Sequence, residues 1–213
     1  MAYQYTRLTP VLSGWPTIFF ACAIGLLFGT VLSFLRPLEY SSKTRLLITQ
    51  DLGVVDAYTA SRSAESIANQ LASNIPTTDF YDAVLATSFD IDKSYFPTDE
   101  IKKRKKWADA VATSVSHSMG FLTITAYHPD VEQADLIAQA VSSVLVEDGL
   151  KYVSGSGITI KVVDQTLNSR WPVRPNVLLN AFSGLILGGL FGVGYILIQV
   201  ERVRRRHQVL HED

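Results

Sequence analysis

The chain holds a single cysteine, Cys22, among its 213 residues. That leaves the segment between its two apolar runs with no disulfide and no thiol chemistry. Histidine is scarce as well: there are four, and only His207 and His211 are close together. They stand four apart on a C-terminal tail, followed by Glu212 and Asp213. Zinc needs several well-held ligands, so this pair reads as a solvated tail and no metal is expected. No G-x-x-x-x-G-K occurs, which removes the usual phosphate cradle of a nucleotide enzyme. Gly155 and Gly157 resemble a piece of a dinucleotide turn, but they precede a strand pattern and read as a linker. No triad signature pairs His117 or His128 with a nucleophile. No cofactor is expected, and a net charge of −1 gives no sign of a nucleic-acid partner.

The absence that says most is of charge. Residues 8–35 contain no charged side chain, and neither do residues 175–200. Each run exceeds the roughly 20 apolar residues that carry an α-helix across about 30 Å of hydrocarbon. Two transmembrane helices are therefore expected, at 15–35 and 177–200. A cleaved signal peptide fits the first poorly: the preceding segment has one basic residue, Arg7, the run is too long, and SFLRPLEY lacks a small-x-small site. Arg202, Arg204, Arg205 and Arg206 follow the second run and place that tail in the cytoplasm by the positive-inside rule. The expected layout is a cytoplasmic tail at 1–14, the first span, an exported domain at 36–176, the second span, and a basic cytoplasmic tail at 201–213. Gly25 and Gly29 in the first run, and Gly184, Gly188 and Gly192 in the second, recur every four residues. Such small-x-x-x-small faces let helix backbones approach, so packing between spans or subunits is expected there.

The exported segment alternates strand and helix patterns. A strand is expected at 42–50, then a helix at 58–75 with Ala60, Ala64, Ile67, Leu71 and Ile75 on one face and Pro76 ending it. Thr78 can cap a short helix carrying Phe80, Val84 and Leu85. A third helix is expected from the N-cap Thr98 onward, with Ile101, Ala108, Val111, Ala112 and Val115 tracing one side. FLTITAYH is the clearest strand. A helix follows, with Asp130 as N-cap and Gln133 bonding back, and Val131, Ala134, Ala138, Val141 and Leu145 aligned. After the SGSG linker, Ile158, Ile160 and Val162 mark one face of a last strand. The expected fold is α+β: a small mixed sheet covered by helices, its last three elements forming a right-handed βαβ unit with parallel strands. The run Lys102, Lys103, Arg104, Lys105 and Lys106 has two readings, a contact for polyanions such as anionic polysaccharide or lipid headgroups, or the wet face of the third helix.

Just before the second apolar run stand Arg170, Trp171, Pro172, Val173, Arg174, Pro175 and Asn176. The prolines hold their neighbours extended, Pro175 can open the span, Trp171 suits headgroup level, and Arg170 and Arg174 can snorkel to phosphates. This P-V-x-P-N core, the strand YSSKTRLLIT after the first run, the helix SAESIANQLASNI and the segment LTITAYHPDVEQADLIAQAVSSVL together resemble the Wzz-type polysaccharide chain-length determinants, or polysaccharide co-polymerases. Ser169 stands where that family often has a further proline, and His128-Pro129-Asp130 where it has Asp-Pro. The short domain without a Walker motif is most similar to the small adaptors that accompany a separate tyrosine kinase in capsule synthesis. The resemblance implies a non-enzymatic homo-oligomer in the bacterial inner or cytoplasmic membrane, both termini cytoplasmic. It would set the length or export of a capsule, exopolysaccharide or lipopolysaccharide O-antigen chain, with a polymerase or lipid-linked glycan, and in the adaptor case a tyrosine kinase, as partners. The competing classes are a two-span sensor or scaffold for an envelope ligand, and a membrane-surface enzyme using His128, Asp130 and Asp164.

Overall fold

The computed structural model describes residues 13–53, 56–117 and 119–209. The chain divides into a helical unit, Met1–Pro37 with Arg174–Asp213, and an α/β unit, Leu38–Val173. Within the helical unit, α1 is Trp15–Ser33. The two windows Trp15–Ser33 and Val177–Val203 have mean hydropathies of 1.9 and 2.0, and both are long and apolar enough to cross a membrane. The second window belongs to one continuous helix, Val177–Val209, so the backbone of Arg202, Arg204, Arg205 and Arg206 is helical. The expected N-terminal tail lies almost wholly outside the described residues, as does His211.

The α/β unit runs β1 (Tyr40–Gln50), α2 (Ala57–Asn74), α3 (Thr78–Leu85), α4 (Glu100–Ala110), β2 (Val111–Val115), β3 (Phe121–His128), α5 (Val131–Asp148) and β4 (Ile158–Asn168), and the long apolar helix above is α6. Its sheet has the order β2-β3-β1-β4. Every neighbouring pair is antiparallel, so the sheet is not mixed. The expected βαβ pairing is corrected too. β3 and β4 point the same way, since each is antiparallel to β1, but β1 lies between them and they do not pair. Both inner strands are buried under the helices, β1 at Leu46 and Ile48 and β3 at Leu122 and Ile124.

The helix expected through Val115 stops at Ala110, and Val111–Val115 becomes the edge strand β2. Val111, Thr113 and Val115 are β-branched, and pairing Val111 with Ala126 and Val115 with Leu122 outweighs the helical spacing of the same residues. Two caps shift by one position. Thr77 caps α3, its hydroxyl accepting from Phe80 N–H, and Asp99 caps α4, accepting from Lys102 N–H at 2.9 Å. A carboxylate at the second site also meets the positive end of the helix dipole. Asp130 caps α5 as expected, but Gln133 does not bond back. Its Oε1 accepts from Asp92 N–H at 2.9 Å and its Nε2 donates to Asp90 O at 3.2 Å, which ties the preceding loop to α5.

The core gathers on one face of the sheet, where Leu46, Ile48, Leu122 and Ile124 meet Ile67 and Leu71 of α2 and Ile137, Val141 and Leu145 of α5. Trp107 fastens α4 to the end of α2: it is 1% exposed, and its Nε1–H donates 2.7 Å to the carbonyl of Ile75. That carbonyl belongs to a helix end with no intrahelical partner, so the indole satisfies it. Lys43, Arg45 and Thr49 alternate onto the other face and are exposed. Val162 is exposed rather than buried, although it pairs with buried Leu46, because β4 is the edge strand of the sheet.

Candidate functional site

The P-V-R-P-N segment and the glycine faces make up the candidate site, each within its own unit. In the α/β unit, the start of β1 and the end of β4 lie side by side, with Ser42 opposite Asn168. Ser169 N–H donates to Ser41 O at 2.7 Å, and its hydroxyl accepts from Ser41 N–H at 2.9 Å. A proline at position 169 would lack the first of these donors, a physical reason for serine here. Beyond Arg170 and Trp171, Val173 N–H donates to Glu39 O at 2.8 Å. The two prolines are divided between the units: Pro172 lies in the α/β unit, half-buried, and Pro175 in the helical one. Trp171 is 74% exposed.

In the helical unit the peptide Arg174–Pro175 is cis. Pro175 does not open the helix. Asn176 sits between them and caps α6, its Oδ1 accepting from Leu179 N–H at 3.1 Å and its carbonyl from Asn180 N–H at 3.1 Å. The asparagine of the motif therefore has a physical task, satisfying amides at the helix start.

The five glycines meet across the helix pair. A Cβ on Gly25 would lie 2.2 Å from Gly184 O and one on Gly29 2.4 Å from Asn180 O. One on Gly188 would be 2.2 Å from Ala21 O, and one on Gly192 3.0 Å from the Cα of Ile18. The obstacles are backbone atoms, which cannot swing aside, so only hydrogen fits at Gly25, Gly29, Gly184 and Gly188. A polar link joins the helices: Asn180 Nδ2 donates 2.9 Å to Ser33 Oγ, which donates in turn to Gly29 O at 3.0 Å. Ser33 is buried. The signal in the sequence is only that each apolar run holds a few polar residues, and spacing alone does not pair them.

The basic run is divided by its surroundings. Lys103 pairs with Glu100 and lies over the Tyr81 ring at 5.5 Å. Lys106 sits 4.0 Å over the Tyr95 ring and 3.8 Å from Glu39. Lys102, Arg104 and Lys105 remain exposed, beside Ile101. The groups of the enzymatic alternative do not share a site. His128 is buried against Tyr95, 4.1 Å between ring centroids, and its Nδ1 accepts from Asp130 N–H at 3.0 Å. Burial holds its pKa below the ordinary histidine value. Asp164 is an exposed partner of Arg45 at 3.4 Å. It faces β1 at Arg45 while His128 faces it at Tyr40, an offset of about 17 Å along the strand at roughly 3.4 Å per residue. Among the described residues no group of three His, Cys, Asp or Glu side chains could hold a metal ion.

No family model and no curated protein matches this chain.

Proposed function

We propose that the chain is a non-catalytic, membrane-anchored regulator of surface polysaccharide length or export, acting as an oligomer beside a polymerase or a lipid-linked glycan. Its place is the bacterial inner or cytoplasmic membrane, with the α/β unit outside and both termini in the cytoplasm. The anchor is supported by the two apolar helices, whose Phe19, Phe20, Phe28, Leu187 and Phe191 are all more than half exposed. Surfaces of this kind are stable in hydrocarbon and costly in water. The orientation is supported by the four arginines at the end of α6.

The observation that carries the reading is the start of the P-V-R-P-N segment. There the Val173-to-Glu39 hydrogen bond makes both connections of the α/β unit leave from adjacent chain ends. Pro172 and Pro175 then restrict the short stretch that leads into the capped helix. Paired connections that leave from one place suit a protein whose exported parts must stand in register with their neighbours. Replacing Pro172 and Pro175 together by alanine is expected to change the modal polysaccharide length on gels, while the chain still fractionates with alkali-washed membranes. Wild-type length in that variant, together with wild-type length on deletion of the whole gene, would remove the proposal.

A further inference from the structure

Along the helix pair runs an open groove of about 830 Å³. That size falls within the roughly 300–1,000 Å³ of sites for small molecules. Phe28 and Leu32 of α1 and Leu187 and Phe191 of α6 form its walls, and Arg36 lies at one end. The groove is thus apolar along its length and cationic at its mouth. In the helical unit the sequence carries acidic residues only at Glu201, Glu212 and Asp213, all after residue 200. Arg36 is exposed at that mouth, where an anionic group can reach it.

The geometry points to an anionic phospholipid as the occupant, with its phosphate on Arg36 and one acyl chain laid between the aromatic walls. A guanidinium matches phosphate oxygens through two parallel N–H donors. From Ala21 to Ser33 the groove follows α1 for about 18 Å at roughly 1.5 Å per residue. One leaflet contributes about 15 Å, half of the roughly 30 Å hydrocarbon core, so a chain that starts beside Arg36 has its full leaflet depth to lie in. A second copy is the poorer occupant: inserted in the same orientation, it brings its own Arg36 to the same level, where like charges repel. The inference rests on α1 and α6 being membrane spans, which extraction with alkaline carbonate tests separately.

The test uses the full chain in neutral detergent and native mass spectrometry, with phosphatidylglycerol, phosphatidylcholine and an isoprenyl monophosphate supplied at equal concentration. One retained phosphatidylglycerol per chain is expected, favoured at least tenfold over phosphatidylcholine. Arg36→Gln should abolish the preference and Arg36→Lys should keep most of it. Ser183→Phe, at a residue that lines the groove, should weaken retention of every lipid. Equal retention of the two phospholipids, or an unchanged preference in Arg36→Gln, overturns the inference. So does displacement of phosphatidylglycerol by the isoprenyl phosphate at equal concentration. Chain-to-chain cross-linking through Leu187→Cys that excludes lipid would also overturn it, in favour of a second copy.

Discussion

The helix pair and the α/β unit reach close packing by opposite routes. Between α1 and α6, contact is made where side chains are missing: Gly25 lies against Gly184 and Gly188, and Gly29 against Asn180, backbone to backbone. In the α/β unit the contact comes from the largest side chains, with Trp107, Phe80, Leu46 and Leu71 all buried. On the proposed membrane reading, the difference follows from the solvent each would face. In water, apolar area removed is itself the driving force, so large side chains stabilise. Between helices in lipid that force is absent, and close approach with its dispersion and polar contacts has to suffice. Errors should therefore have opposite signs: the α/β unit fails when a side chain is made smaller, the helix pair when one is made larger.

The largest effect is expected at Trp107. Truncating it to alanine should cost about 3–5 kcal/mol, read as a lower urea midpoint of the full chain by circular dichroism. Trp107→Phe keeps much of the volume but orphans the Ile75 carbonyl, at about 1–3 kcal/mol. Next comes Gly184→Leu. Its Cβ would meet a carbonyl oxygen at 2.2 Å, so the helices must part, an overpacking cost of about 1–3 kcal/mol. The readout is an intramolecular disulfide between Cys22 and Gly189→Cys, since a Cβ at Gly189 lies 3.1 Å from Cys22 Sγ. Gly184→Leu should suppress that bond, and Gly194→Leu, with nothing within 4 Å, should leave it unchanged. Neither should move the urea midpoint of the α/β unit, which would break the comparison if it happened.

His128 supplies a pH test of the α/β unit alone. Burial keeps the folded imidazole neutral below its ordinary value of 6.5. Between those two values the unfolded chain takes up a proton and the folded one does not, so stability rises with pH there. The contribution is full above about pH 6.5 and is lost as pH falls through the folded value. The urea midpoint should thus drop between pH 7.5 and 5.5, and His128→Gln should flatten that slope. The smallest effect is expected from Asn180→Leu. It removes one interhelical hydrogen bond, about 0.6 kcal/mol on average in membrane proteins, and should lower the Cys22 disulfide yield only slightly.

Much of the fold was legible in the residues, for reasons that also explain the misses. The two apolar runs, β1, β3, α2 and α5 have long patterns of one period, which local chemistry alone dictates. VATSV does not: five residues fit a helix face and an edge strand equally, and only the partner β3 decides. The position of β1 between β3 and β4 was not legible either, because β1 and β3 carry similar alternating patterns and only the tertiary pairing orders them. At the candidate site, the four-residue spacing of the glycines was visible, whereas the meeting of Gly25 with Gly184 depends on helix register. Ser33 and Asn180 were legible only as polar residues in apolar surroundings. Asn176 was a motif letter whose task as a cap became evident only with the start of α6.

The pinning of Ser41 to Ser169 and of Glu39 to Val173 has a mechanical consequence. β1 and β4 are antiparallel neighbours, and the chain enters the first and leaves the second at the same end of the sheet. A force that drew these two chain ends apart would load one hydrogen bond at a time, beginning at Val173, as a zip opens. A force that moved both ends together would leave the strand pair unloaded. The α/β unit can thus be carried by its two connections at little risk, and it is weakest against whatever spreads them.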